Sequence, residues 1–278
     1  MSNEPTKLLL PKVDVIFKLL FGDKRNKRIL IDFLRSVLDL PDDDYEFITI
    51  DDTHLKRETI DDKLGIVDVK LTTKSGKIVH IEMQILEDDD MPERVTYYNS
   101  KIFVTQIKSG GKFENINRTI SILIADFELV KNPAHPAKYH HRFMYNDCET
   151  GVNFTDIVEI NTLELQKIPP ESDHTPKYDW LQFLKAEREE EFDMLAKRSP
   201  VIKEAVVELR RLSQSEEAQR LHDAREKALW GEQSRLRTAQ NKALKNVALK
   251  MLKRGTPIQH IAEDTGLSIT EIETLKPK

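Results

Sequence analysis

The sequence predicts an α/β or α+β core over residues 10–165, built of a mixed sheet and helices and followed by a helical C-terminal region. Three observations carry this reading. Apolar residues recur at helical spacing before residue 40, and strand-length apolar runs fall between residues 64 and 127. From Trp180 to Lys253 every turn of a helix would carry charge, with Gly231 as the only glycine.

In order, Val13, Ile16, Phe17, Leu20 and Phe21, then Ile29, Ile31, Phe33, Leu34, Val37 and Leu38, predict a helix over 13–40 interrupted near Gly22. Pro41 and three aspartates end it, and residues 46–50 read as a short strand. Two clearer strands follow, over 64–71 and 77–86. Pro92 stands at a favoured first-turn position of a helix that runs to about Ile107, before Gly110-Gly111. Residues 119–127 form an apolar run of strand length, as a buried central strand requires. Residues 140–160 read as further strands around Gly151. The proline-rich stretch 168–176 predicts a boundary, giving a core domain over 1–167 and a helical region over 168–278.

Composition narrows the function classes. Charged residues reach 33% against 39% apolar, and no apolar run approaches the ~20 residues of a membrane span, so a soluble protein off the membrane is expected. The three leucines near the start are too short a run for a secretory signal, and a cytoplasmic location follows as an expectation. The single cysteine, Cys148, excludes an internal disulfide and a CxxC metal knuckle. A net charge of -5 argues against a tail-driven nucleic-acid binder. Charge is nonetheless uneven: residues 230–254 hold seven bases against one acid, Glu232.

Residues 64–86 carry the chemistry. Lys74, Ser75 and Gly76 read as a three-residue hairpin loop, with glycine where a bulge-type turn wants a left-handed residue. Pairing Thr73 with Lys77 then sets Asp68 opposite Glu82 on one face, with Cα atoms about 4.5–5.5 Å apart. A two-residue loop would shift the register and send the two acids to opposite faces. The position of Gly76 favours the first pairing. One face then shows Val67, Val69, Leu71, Val79, Ile81, Met83 and Ile85, and the other Ile66, Asp68, Lys70, His80, Glu82 and Gln84. Opposed carboxylates repel unless a cation or proton lies between them, and converging carboxylates are what Mg²⁺ takes as ligands. The same alternation also suits a hairpin face turned to water. Both readings stand on pattern alone.

Together with Asp14-Val-Ile-Phe-Lys18 through Gly22, Gly65-Ile-Val-Asp68, Ile81-Glu82-Met-Gln84, Glu93-Arg94 and Tyr97-Tyr98, the order of motifs resembles the recombination-promoting nuclease/putative transposase family of the PD-(D/E)XK superfamily. The resemblance implies a restriction-endonuclease-like core and a bacterial, Mg²⁺-dependent DNA endonuclease, with Mn²⁺ as a substitute ion, linked to recombination, mobile elements or defence. It implies Asp68 and Glu82 as metal ligands and places Gln84 where the superfamily has lysine. Glutamine cannot supply charge, so Lys70, Lys18 or a second metal is expected to serve. The alternative is a catalytically weak DNA-binding or assembly module.

Asp14 and Lys18 share a helix face four residues apart, which fits a supporting role at the site or a surface ion pair. Tyr97 reads as a nucleic-acid contact or a packing residue, and His135, His140 and His141 as loop histidines. Residues 257–264 and 268–275 form two short helical patterns joined at Gly266-Leu-Ser, so 255–278 resembles a helix-turn-helix hairpin. Its second helix offers Glu271 and Glu273 rather than bases, so packing or assembly into a homo-oligomer is expected of it. Lys242, Lys245 and Lys250, just before it, are the better phosphate contacts.

Overall fold

The structure is a computed structural model that describes residues 8–51, 68–107 and 110–275. The chain divides into two compact units, residues 1–223 and 224–278. The first unit begins with helices α1 (Asp14–Phe21), α2 (Lys27–Val37) and α3 (Asp42–Glu46). The break between α1 and α2 falls at Gly22, as the apolar spacing predicts. Strands β1 (Thr49–Ile50), β2 (Val69–Thr72) and β3 (Ile78–Gln84) follow, then helix α4 (Met91–Val104) and strands β4 (Thr119–Ala125), β5 (His140–Asn146) and β6 (Asn153–Glu164). The expected strand positions 64–67 lie outside the described residues.

Among the described residues the sheet has six strands in the order β1-β2-β3-β4-β6-β5. β3 runs parallel to β4 and β4 parallel to β6, while the outer pairings are antiparallel. This is a mixed sheet flanked by helices, the predicted α/β class. β4 sits at its centre with all seven residues buried, which explains its unbroken apolar run. His140 and His141 correct the sequence reading. They lie on β5 rather than in a loop, and His140 Nε2 stands 2.9 Å from Asn161 Oδ1 on β6.

One face of the sheet carries Val69, Leu71, Val79, Ile81, Met83, Ile120, Ile122, Ile124 and Leu163 into the main core. The same core takes α1, α2 and three helices beyond the proline-rich stretch: α5 (Pro176–Lys185), α6 (Glu189–Ala196) and α7 (Pro200–Ser213). Phe17, Phe21, Phe33, Trp180, Phe183 and Phe192 form a chain of ring contacts there, with centroids 4.5 Å apart for Phe17 and Phe21 and 5.8 Å for Phe21 and Trp180. Trp180 Nε1 also donates to Asp32 Oδ2 at 2.8 Å. The compact unit therefore runs past the expected division at residue 167 to Asp223. The proline-rich stretch is stitched down: Ile168 is buried, and the Tyr178 hydroxyl lies 3.2 Å from the carbonyls of Pro169 and Pro170.

The second unit contains the C-terminal part of α8 (Glu216–Lys253), with α9 (Ile258–Thr265) and α10 (Ile269–Thr274). Ala248, Ile261, Leu267 and Ile272 form its small core. Gly266 turns the chain at φ +68, and Ser268 caps α10 in a reciprocal box with Glu271, as expected of the hairpin.

Candidate active site

The hairpin that carries the two acids is pinned by local chemistry. Thr73 N–H donates to the Lys77 carbonyl at 2.9 Å, and Gly76 adopts φ +85, which glycine alone takes without strain. Asp44 on α3, 2% exposed, accepts from Lys77 Nζ at 2.7 Å, Thr73 Oγ1 at 3.1 Å and Ser75 N–H at 3.2 Å. The loop is thus held from both sides. In the resulting register Val69 faces Ile81, Lys70 faces His80 and Leu71 faces Val79. One step further sets Asp68 against Glu82, the pairing expected from the turn.

Asp68 does not simply face its partner. Its Oδ2 accepts the Met83 backbone N–H at 2.7 Å, which ties the carboxylate to β3 at the position next to Glu82.

The polar face of β2 and β3 is not a solvated hairpin face. The connection between the parallel strands β3 and β4 is α4, which packs on this same side of the sheet over β4 and β6. Met91 and Val95 of α4 pack with Leu123, Ala125 and Phe127, and Ile102 packs with Ile78 and Tyr98. Asn99, 1% exposed, donates to Ser121 Oγ and to the Glu159 carbonyl. Under this cover His80 is fully buried and Glu82 is 5% exposed.

Burial sets the electrostatics. It pushes the Glu82 carboxyl up to about 7, Arg94 of α4 draws it back down, and the nearby Asp68 raises it further. Burial also pushes His80 down to about 3, helped by the charge of Lys70 opposite, so the imidazole is neutral near pH 7. His80 Nδ1 stands 3.3 Å from Ser121 Oγ, while its Nε2 has no hydrogen-bond partner. Glu82 Oε1 is likewise buried and without a partner. A bare buried carboxylate oxygen costs several kcal/mol unless a proton or cation meets it, roughly 1–3 kcal/mol even when it is neutral.

A family model, PD-(D/E)XK nuclease family transposase, matches residues 11–239. That match covers most of the chain. The chain belongs to the PD-(D/E)XK nuclease family transposases. No curated protein and no solved structure matches it. The family's nucleases act on DNA and generally use divalent metal ions. The donor set suits such an ion: two carboxylates from adjacent strands, one oriented by a backbone N–H and one with a buried, unpartnered oxygen.

The other expected residues divide by location. Gln84 ends β3 beside Ala125, and its Nε2 donates to the Leu86 carbonyl at 3.1 Å. Lys70 is half-buried opposite His80. Asp14 and Lys18 are half-buried on α1, which packs in the main core on the opposite side of the sheet from α4. Tyr97 is exposed, with Lys101 Nζ 5.8 Å from its ring centroid. Lys242, Lys245 and Lys250 are exposed on α8. Sequence reasoning misses Arg94 as a site member because only the fold of α4 onto the sheet brings it near Glu82, and it misses His80, on β3 itself, because the burial of His80 depends on that packing. The alternation of His80 with Glu82 was the available signal.

No described helix is long and apolar enough to cross a membrane.

Proposed function

We propose that this family member is a divalent-metal-dependent DNA endonuclease, taking Mg²⁺ or Mn²⁺ and hydrolysing phosphodiester bonds in DNA recombination, mobile-element movement or defence in the bacterial cytoplasm. The observation that carries the reading is the buried, unpartnered Oε1 of Glu82 beside an Asp68 carboxylate already oriented by Met83 N–H. When bound there, a divalent ion would supply Lewis acidity toward a phosphoryl oxygen and lower the pKa of a bound water.

The chain's own residues do the rest. Asp68 and Glu82 hold the ion, and the crossover of α4 limits water around them. Gln84 orients substrate or water through its side-chain carbonyl, since its Nε2 is given to Leu86. Asp14 and Lys18 support the site indirectly, from α1 on the other side of the sheet. Lys70 and Tyr97 contact nucleic acid near it, and Lys242, Lys245 and Lys250 contribute phosphate contacts from α8. The helical C-terminal region serves homo-oligomer assembly.

Incubating supercoiled plasmid with the full chain and Mg²⁺, against an EDTA control, tests this. Metal-dependent nicking or linearisation is expected. DNA binding without cleavage in either Mg²⁺ or Mn²⁺ would replace the reading with a noncatalytic DNA-binding module, which the uncharged Gln84 favours.

A further inference from the structure

The position that a PD-(D/E)XK site fills with lysine holds an uncharged side chain here, and its amide nitrogen is already engaged with Leu86. Cleavage of a phosphodiester beside two acids still requires a cation where negative charge grows on the phosphoryl oxygens. On this side of the sheet the candidates are Lys70 of β2 and Lys101 and Arg94 of α4. Lys70 lies a full same-face step below Glu82, opposite His80. The Lys101 ammonium sits over the Tyr97 ring, on the last turn of α4.

Arg94 is placed differently. α4 runs antiparallel to β3 and β4: its first turns pack on Leu123 and Ala125, Asn99 meets Ser121, and Ile102 meets Ile78. Tyr98 belongs to the Ile78 end of this arrangement. Arg94 lies four residues earlier, about 6 Å along the helix axis towards the strand ends, or about two strand residues. Its long side chain then covers the remaining step to the level of Glu82. The Arg94 guanidinium lies over the Tyr98 ring at 5.7 Å from its centroid, and its buried Nε has no hydrogen-bond partner. Stacking fixes the plane of the fork while leaving donors unspent.

The geometry points to Arg94 as the cation that replaces the missing lysine, donating to the phosphoryl oxygens of DNA bound at the Asp68–Glu82 pair. This rests on the metal-dependent nuclease reading above. Its charge already reaches Glu82, where it is the cation acting against burial and Asp68. Arginine suits the task because its donors match two phosphate oxygens at once.

The test uses the full chain with R94Q, R94K, K70Q and D68N, each read by single-turnover plasmid cleavage and by thermal shift in a Mn²⁺ titration without DNA. R94Q is expected to lose about 10²–10³ in cleavage rate, as for removal of one preorganised donor, and R94K to keep more of it. The Mn²⁺ midpoint of R94Q should stay level or fall, because a positive charge beside the ion has gone. D68N should lose the Mn²⁺ shift itself, which separates holding the ion from contacting the phosphate. An R94Q that cleaves at the parent rate overturns the assignment, as does K70Q losing cleavage in its place. An R94Q that loses the Mn²⁺ shift also overturns it, since Arg94 would then serve only to arrange the acids. A parent that neither cleaves nor gains stability with Mn²⁺ overturns the nuclease reading and this inference together.

Discussion

The Met83 backbone N–H donates to Asp68 Oδ2 at 2.7 Å, so a side chain of β2's leading edge occupies the hydrogen-bonding position at the end of the β2–β3 ladder. Backbone groups in a buried sheet need partners, and here the partner is a carboxylate that also belongs to the candidate site. Fold and chemistry therefore share one oxygen pair.

That sharing predicts how Asp68→Asn behaves. Asparagine keeps a carbonyl oxygen for Met83 N–H, so the hairpin should stay folded and the metal-free melting temperature should hold or rise slightly with the repulsion gone. Cleavage should vanish, and stabilisation by Mg²⁺ or Mn²⁺ should shrink, because the ion has one anionic ligand fewer. Thermal melts with and without metal, beside the plasmid assay, read both effects. A D68N variant that cleaves like the parent would remove this acid from the site.

Glu82→Gln should show itself in the pH dependence of metal-free stability. The folded Glu82 titrates at about 7 against an ordinary 4.5, so the native state holds the extra proton between those values. Stability from this group falls as pH rises through the window and stays lowered above it. His80 acts oppositely: at about 3 in the fold against 6.5, it costs stability as pH falls below 6.5. The two slopes oppose each other between pH 4.5 and 6.5. In EDTA, the E82Q variant should exceed the parent by on the order of 3 kcal/mol at pH 8, with the advantage fading towards pH 4. Urea midpoints at pH 4, 6 and 8 measure it. A difference that does not move with pH would refute the burial argument.

Gly76→Ala should destabilise the hairpin. The residue holds φ +85, where an added Cβ costs about 1–2 kcal/mol, and that Cβ would stand 2.9 Å from Asn117 Oδ1. The asparagine can swing aside, so backbone strain dominates. Equilibrium urea unfolding at constant pH should show the loss, and an unchanged midpoint would mean the loop tolerates another conformation.

Changing Lys242, Lys245, Lys250 and Lys253 together to Gln should weaken DNA binding and flatten its dependence on salt. A phosphate that no lysine neutralises keeps its condensed counterion, so the slope of log affinity against log salt becomes shallower. Fluorescence anisotropy of a labelled duplex over a range of NaCl concentrations gives that slope. If it keeps its value, these lysines are a solvated helix face.

Much of the structure was legible in the sequence because it rests on local rules. Turn chemistry at Gly76 and strict alternation along 69–84 set the register, and with it the Asp68–Glu82 pairing, without reference to anything distant. The unbroken apolar run 119–125 announced a central strand, and Gly266 with Ser268 announced the terminal hairpin. The same register nominated Asp68 and Glu82 as a facing pair, while their metal-binding role and the nominations of Gln84, Asp14 and Lys18 came from the family resemblance. What alternation cannot say is which element covers a polar face. Residues 91–104 place Asn99 and Lys101 among their buried positions and leave Tyr97 exposed, so α4 lacks the clean apolar stripe that would have marked it as a cover. Only the parallel pairing of β3 with β4 folds the helix between them onto this side of the sheet, where Glu82 and His80 are buried and the charge of Arg94 reaches the acid. The same holds for residues 168–223: prolines read as a boundary, yet Trp180 packs its ring on Phe21 of α1 and Phe33 of α2, more than a hundred residues earlier, and Phe183 and Leu209 join the same core. Burial and through-space charge depend on such distant partners, and tertiary structure alone supplies them.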